Sequence, residues 1–196
     1  MFIFVFMKKE RFNTITDGVF AIIITIMILG IKIPEFNSQN IPSILQSVFI
    51  YLVSFVLVAI LWINHHHILN HKGTISIGIV WLNFLLLFAS SFIPVAAQML
   101  DKDFYDVGAH VFYGITLGTA SFMYALIYHI NLKETKLSSR DFSNIINWSS
   151  TALFFACIPL SYCSVYISSA IFVLIPTFYF YHTFNPFKLD SEELLQ

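Results

Sequence analysis

Apolar residues in this chain come in six long runs, each closed by a short polar break: 17–33, 44–64, 75–100, 107–130, 145–162 and 165–181. Pro34 ends the first run, a histidine cluster ends the second, and a two-residue link joins the fifth to the sixth. The runs are continuous rather than alternating, so they predict helices and not the strands of a barrel. Each is near the roughly 20 residues that a helix needs to cross about 30 Å of hydrocarbon, the first, fifth and sixth being the shortest. The pattern predicts an all-α integral membrane protein, with six transmembrane helices in one domain over residues 1–196. Pro159 and Pro176 fall inside the last two runs, where they are expected to kink the helices.

Composition agrees with a bilayer as solvent. Hydrophobic residues make up 58% of the chain and charged residues 11%, where a soluble domain carries about 25% charged. The net charge of −1 gives no clustered basic surface, so nucleic acid is not expected as a partner. Basic residues fall unevenly between the two sets of loops. If the N-terminus is cytoplasmic, that side holds Lys8, Lys9, Arg11, Lys72, Lys133, Lys136, Arg140 and Lys188, against Lys32 and Lys102 opposite. Eight against two predicts a multi-pass protein of the cell membrane with both termini cytoplasmic. Asp101, Asp103 and Asp106 then face outward. Trp62, Trp81 and Trp148 lie near span ends, as aromatic belts do. The opening MFIFVFM is apolar but precedes Lys8 and Lys9, the reverse of a signal peptide. A native start at Met7 accounts for it, an expectation that N-terminal sequencing tests. Cys157 and Cys163 both lie in apolar sequence and read as buried thiols rather than a disulfide framework.

Candidate chemistry concentrates in the first run. Asp17 is the only carboxylate inside a predicted span, and intramembrane ionisable groups mark function by default. A structural reading competes evenly: Thr16 as an N-cap, Asp17 in the first helical turn, and Arg11 upstream as its ion-pair partner. Beyond Asp17 the helix is apolar or hydroxylic, and Ile22, Thr25, Ile26 and Leu29 share one face at helical spacing. Such a stripe is ordinary packing on its own, and Thr25 can bond back to the carbonyl four residues earlier.

Arg11-Phe12-Asn13-Thr14-Ile15-Thr16-Asp17, followed by an apolar run with Ala21 and Thr25, resembles the opening helix of the transmembrane protein 175 family. These are endolysosomal potassium channels and their prokaryotic relatives. The family pattern is Arg, three residues, Phe-Ser-Asp, then a Thr eight positions after the Asp. Here Ile15 and Thr16 replace the Phe and Ser. Ser54-Phe55, Trp62-Ile63-Asn64-His65-His66, Asn83 with Pro94, and Tyr113-Gly114 are similar to patterns of the second, third and fourth helices. The likeness covers about the first 115 residues. It implies a homo-oligomer, a tetramer in the lipid bilayer, with a pore lined by the first helix of each subunit and no carbonyl filter loop. By position, Ile22, Ile26 and Leu29 become apolar rings that act as a hydrophobic gate, and Thr25 a hydroxyl ring. Potassium ions are then the permeant species, passed with modest selectivity, and no cofactor is needed. Arg11, Thr16, Asp17, Trp62, His65 and His66 are implied as a cytoplasmic-side network that fixes the first helix.

Other classes fit less well. His65, His66 and His67 diverge by about 100° each on a helix. Only His67 and His71 share a face, and even with His182 no zinc site is expected. A proton-coupled transporter using Asp17 with His65, or His110 and His129, is the alternative function. No paired interrupted helices or inverted repeat support it. Thr74-Ile75-Ser76-Ile77-Gly78 superficially resembles a carbonyl filter loop but opens a full span. A scaffold without a working pore remains a further class. No nucleophile with a base and no phosphate-cradling glycine loop occurs, so no enzyme is expected.

Overall fold

Backbone groups in hydrocarbon have no water to bond, so an apolar run pairs its own N–H and C=O groups along a helix. The computed structural model describes residues 7–31, 37–68, 74–134 and 142–183. Within these residues the order is β1 (Met7–Lys8), α1 (Lys9–Leu29), α2 (Ile41–Ile68), β2 (Thr74–Ile75), α3 (Ile77–Ser90), α4 (Ile93–Lys102), α5 (Val107–Glu134), α6 (Phe142–Cys163) and α7 (Val165–Thr183). Five segments are long and apolar enough to cross a membrane: Glu10–Leu29, Ile41–His66, Ile77–Lys102, Val107–Lys133 and Ser143–Cys163. The sixth, Val165–Tyr181, is shorter and equally apolar in character. The chain is a multi-pass, all-α membrane protein.

Three local features depart from the sequence pattern. First, α1 begins at Lys9, so the polar stretch before position 17 is helical. Thr16 is therefore not an N-cap and Asp17 is not in a first turn, which Glu10 occupies instead. The Thr16 hydroxyl donates to the Phe12 carbonyl from inside the helix. The predicted end of this run, at 33, lies outside the described residues. Second, the third run is two helices, α3 and α4, with a break at Ser91–Phe92. Pro94 stands at the start of α4; it lacks an N–H and its ring excludes the carbonyl four residues back. The chain tightens there instead, with the Phe92 N–H bonding the Ala89 carbonyl at 3.2 Å. Third, β1 and β2 form a short antiparallel pair in the register Met7↔Ile75 and Lys8↔Thr74. The stretch that resembled a filter loop is thus taken up by β2 and the first turn of α3. Pro159 and Pro176 lie inside α6 and α7, both of which continue through them.

Packing in a bilayer comes from close contact and interhelical hydrogen bonds, since lipid is as apolar as leucine. One buried cluster joins Phe20, Ile23 and Met27 of α1 to Val58, Ile93, Tyr113, Phe154 and Phe172. A second joins Phe12 of α1 to Ile75, Ile79, Leu86, Tyr124 and Ile127. The buried side of α1 is shared between the two. Between α5 and α6 the helices meet over glycine: a Cβ on Gly114 would lie 3.3 Å from the Phe154 carbonyl oxygen. Ser54 and Tyr113 tie α2 to α5 through a buried 2.8 Å hydroxyl pair. Of the two thiols, Cys157 is buried and Cys163 is exposed, so the expectation of two buried thiols holds only for the first. Cys163 ends α6, where the chain turns into α7 and leaves the packed interior.

Candidate functional site

α1 has two unlike faces. Phe12, Thr16, Phe20, Ile23 and Met27 recur at spacings of three and four and are all buried. On the opposite face Ile15, Gly18, Ile22, Thr25, Ile26 and Leu29 are exposed, Ile22 by 56% and Leu29 by 81%. No charged side chain interrupts this exposed face between Gly18 and Leu29. The structure therefore brings Ile22, Thr25, Ile26 and Leu29 together on one stripe that no other element covers among the described residues.

Thr25 sits within that stripe in a defined orientation. Its hydroxyl lies 3.0 Å from both the Ala21 and the Ile22 carbonyl oxygens and donates its single proton there. A hydroxyl whose proton points back along the helix presents only lone pairs outward. The group can accept from water or contact a cation, but it has no hydrogen to offer an anion.

The buried face carries the groups that fix the rotation of α1. Asp17 accepts a 2.8 Å hydrogen bond from the Trp62 indole N–H of α2. One residue earlier, the Thr16 oxygen accepts 2.8 Å from the Asn83 amide of α3 while donating to the Phe12 carbonyl. The buried His65 ring stacks on Phe12, with centroids 5.7 Å apart and planes at 18°. It also lies against Phe20. His66 instead leans on Trp62 at the outside of α2. Consecutive histidines thus take different roles, as their divergence on a helix requires. Arg11 is exposed and makes no ion pair with Asp17, so the pairing expected from sequence is absent within the subunit. The two side chains leave α1 on different sides, Arg11 outward and Asp17 toward α2.

Asn83, Ser54 and Tyr113 entered the sequence reading only as pattern matches, and Phe12 as part of the opening motif; none was given its packing role. For Asn83, Ser54 and Tyr113 the signal available was position: a polar side chain inside an apolar run must find a partner on a neighbouring helix. Phe12, outside the predicted runs, gave no such signal. His110, in α5, is closed off by its own contacts. Its Nδ1–H donates to the Asp106 carbonyl at 3.1 Å, which leaves Nε2 to accept from the Ser169 hydroxyl at 2.9 Å. Among the described residues no three His, Cys, Asp or Glu side chains group to hold a metal ion. His71 and the side chains of His67 and His182 lie outside the described set.

Comparison with known proteins supplies independent findings. The family model described as endosomal/lysosomal potassium channel TMEM175 matches residues 11–94. A potassium channel of Chryseobacterium sp. (strain P1-3) is 30% identical over 174 residues, which is 86% of this chain and 91% of that protein. An endosomal/lysosomal proton channel TMEM175 of Danio rerio is 32% identical over 111 residues, 49% of this chain and 21% of the longer fish protein. Among solved structures, a crystal structure of a lysosomal potassium-selective channel TMEM175 homologue from Chamaesiphon minutus aligns with a TM-score of 0.78. That alignment covers 89% of this chain and 97% of the other at 22% identity, a likeness of fold.

Proposed function

The chain belongs to the TMEM175 family, a family of ion channels and not of enzymes, and from that premise we propose that it forms a modestly potassium-selective cation channel of the cell membrane. Four copies surround a pore lined by α1, and potassium ions pass without a carbonyl filter or a cofactor. The observation that carries this reading is the unpartnered stripe of α1, apolar and uncharged from Gly18 to Leu29, with the Thr25 hydroxyl set to present only acceptor lone pairs. Rings of Ile22, Ile26 and Leu29 expel water from a narrow bore and close it to ions. When the bore is wet, four Thr25 oxygens replace part of a cation's hydration shell. A path without fixed charge separates K⁺ from Na⁺ only weakly, and the missing donor at Thr25 disfavours anions.

Rotation of α1 decides whether those residues face the axis. Trp62 on Asp17, Asn83 on Thr16 and His65 on Phe12 hold it from α2 and α3. Arg11, exposed on the outward face of α1, is free within the subunit to meet a neighbouring copy. The eight-to-two distribution of basic residues puts the start of α1 and the end of α7 on the cytoplasmic side.

The fish relative's name supports protons as a competing cargo, and a proton-coupled transporter with Asp17 and His65 is the alternative. Packing of His65 between Phe12 and Phe20, and of His110 between two hydrogen bonds, weighs against a relay. Flux into liposomes containing the purified protein separates the readings. Potassium should move down its own gradient with and without a protonophore, in preference to sodium. Movement only when protons exchange would overturn the channel and direct attention to Asp17 and His65.

A further inference from the structure

The outward end of α1 borders a cleft that the pore stripe does not use. The cleft measures about 530 Å³ and is lined by Gly30, Ser43, Ser47, Gln98, Asp101 and Lys102, among others. A narrower pocket continues it inward past Met27 and shares Gly30, Ser47, Gln98 and Asp101. In a subunit whose surface is otherwise largely apolar, these groups converge on one hollow at the end of the proposed pore helix. Three features give it a sign. Asp101 is half-buried and its Oδ1 accepts a short hydrogen bond from Ser47, while its second oxygen has no protein partner among the described residues. Gln98 packs so closely on Gly30 that a Cβ there would overlap its side chain, so the amide is seated against the last turn of α1. That turn is the negative end of a helix macrodipole and contains no basic residue to neutralise it. Among the described residues lining the cleft, Lys102 is the one opposing charge, exposed on the last turn of α4.

We infer that this cleft is an antechamber in which a hydrated alkali cation rests before entering the pore, held by Asp101 and the C-terminal end of α1. The inference rests on the pore reading above and adds a site to it. A full carboxylate here raises the local cation concentration and so the entry rate, an effect that fades as salt screens it, with a Debye length of about 30 Å at 0.01 M and about 3 Å at 1 M. The antechamber acts on ions arriving from the outer face alone.

The test is current through the purified full-length channel in planar bilayers, with K⁺ varied from about 10 mM to about 1 M. Asp101→Asn should reduce current entering from the outer face about three- to tenfold at the low end. It should converge with the parent protein at the high end and leave current from the inner face unchanged. Asp101→Glu should restore most of the loss. Lys102→Gln, at an exposed helix end, should move low-salt current the opposite way, and carries the test alone if Asp101→Asn does not assemble. Equal currents at low salt in a conducting Asp101→Asn channel, or a loss that is the same at every salt concentration and not rescued by Glu, overturn the antechamber and leave the pore intact. A parent protein that passes no K⁺ at all would instead overturn the pore reading, and the antechamber with it.

Discussion

Thr25 gives its one proton to its own helix and so faces outward as an acceptor alone. Thr25→Val keeps the shape and removes the oxygen. It should leave assembly unchanged, because no other element bonds that hydroxyl, and lower the K⁺ over Na⁺ preference measured by reversal potentials. Ile22→Asn should raise conductance and bring that preference close to unity while expression stays intact; unaltered currents would remove Ile22 from the constriction. Asp17 works differently. Its carboxylate receives the Trp62 indole, so Asp17→Asn or Trp62→Phe should weaken the α1–α2 contact by about 1–2 kcal/mol and lower oligomer yield more than permeation. A fully assembled Asp17→Asn channel with altered selectivity would reverse this assignment. At this scale the sequence was legible where spacing alone decides: the stripe of Ile22, Thr25, Ile26 and Leu29 follows from the helical period. It was not legible where the helix start decides. Lys9 to Thr16 is polar and resembles a loop on hydropathy, yet Lys, Glu, Arg and Thr all extend a helix once its next turn is anchored. The cap reading of Thr16 failed for that reason.

Helices here are locked by small residues and by polar side chains placed inside apolar runs. Gly114 brings α5 against the Phe154 carbonyl, a backbone group that cannot turn aside. Gly114→Ala should therefore cost about 1–3 kcal/mol of overpacking and lower the thermal midpoint in detergent. Gly18→Ala, inside α1 with nothing within 4 Å of the added carbon, should leave it unchanged or raise it slightly, since alanine favours the helix by up to about 1 kcal/mol. Equal midpoints for the two would mean that α5 and α6 part easily. Asn83→Ala leaves the buried Thr16 oxygen without its donor, a loss of about 1–3 kcal/mol that should appear in the same assay. Span positions were legible from run length, since about 20 apolar residues have little else to become. The division of the third run was not, because mean hydropathy is blind to Pro94. The proline removes one N–H and one carbonyl site, and the chain turns at Ser91–Phe92 without a polar gap to mark it.

As a whole the subunit is incomplete along one side. α1 is packed on α2, α3 and α4 by its buried face, while its opposite face is exposed among the described residues. Native mass spectrometry from detergent should give a tetramer, and a monomer that still passes K⁺ would contradict a pore shared between copies. Nothing in the residue pattern alone announces that number, because a closed ring of four and a closed ring of three ask for similar apolar flanks. The buried clusters were legible only as composition; which runs touch is settled by long-range contacts such as Ser54 with Tyr113. The two-residue ladder between β1 and β2 also has a mechanical consequence. It pins the N-terminal end of α1 to the lead-in of α3, just as Gln98 over Gly30 braces the C-terminal end. A rod clamped at both ends does not swing aside like a door. It yields by torsion and by the turning of its side chains, so the exposed stripe can be reoriented while the axis of the helix stays in place.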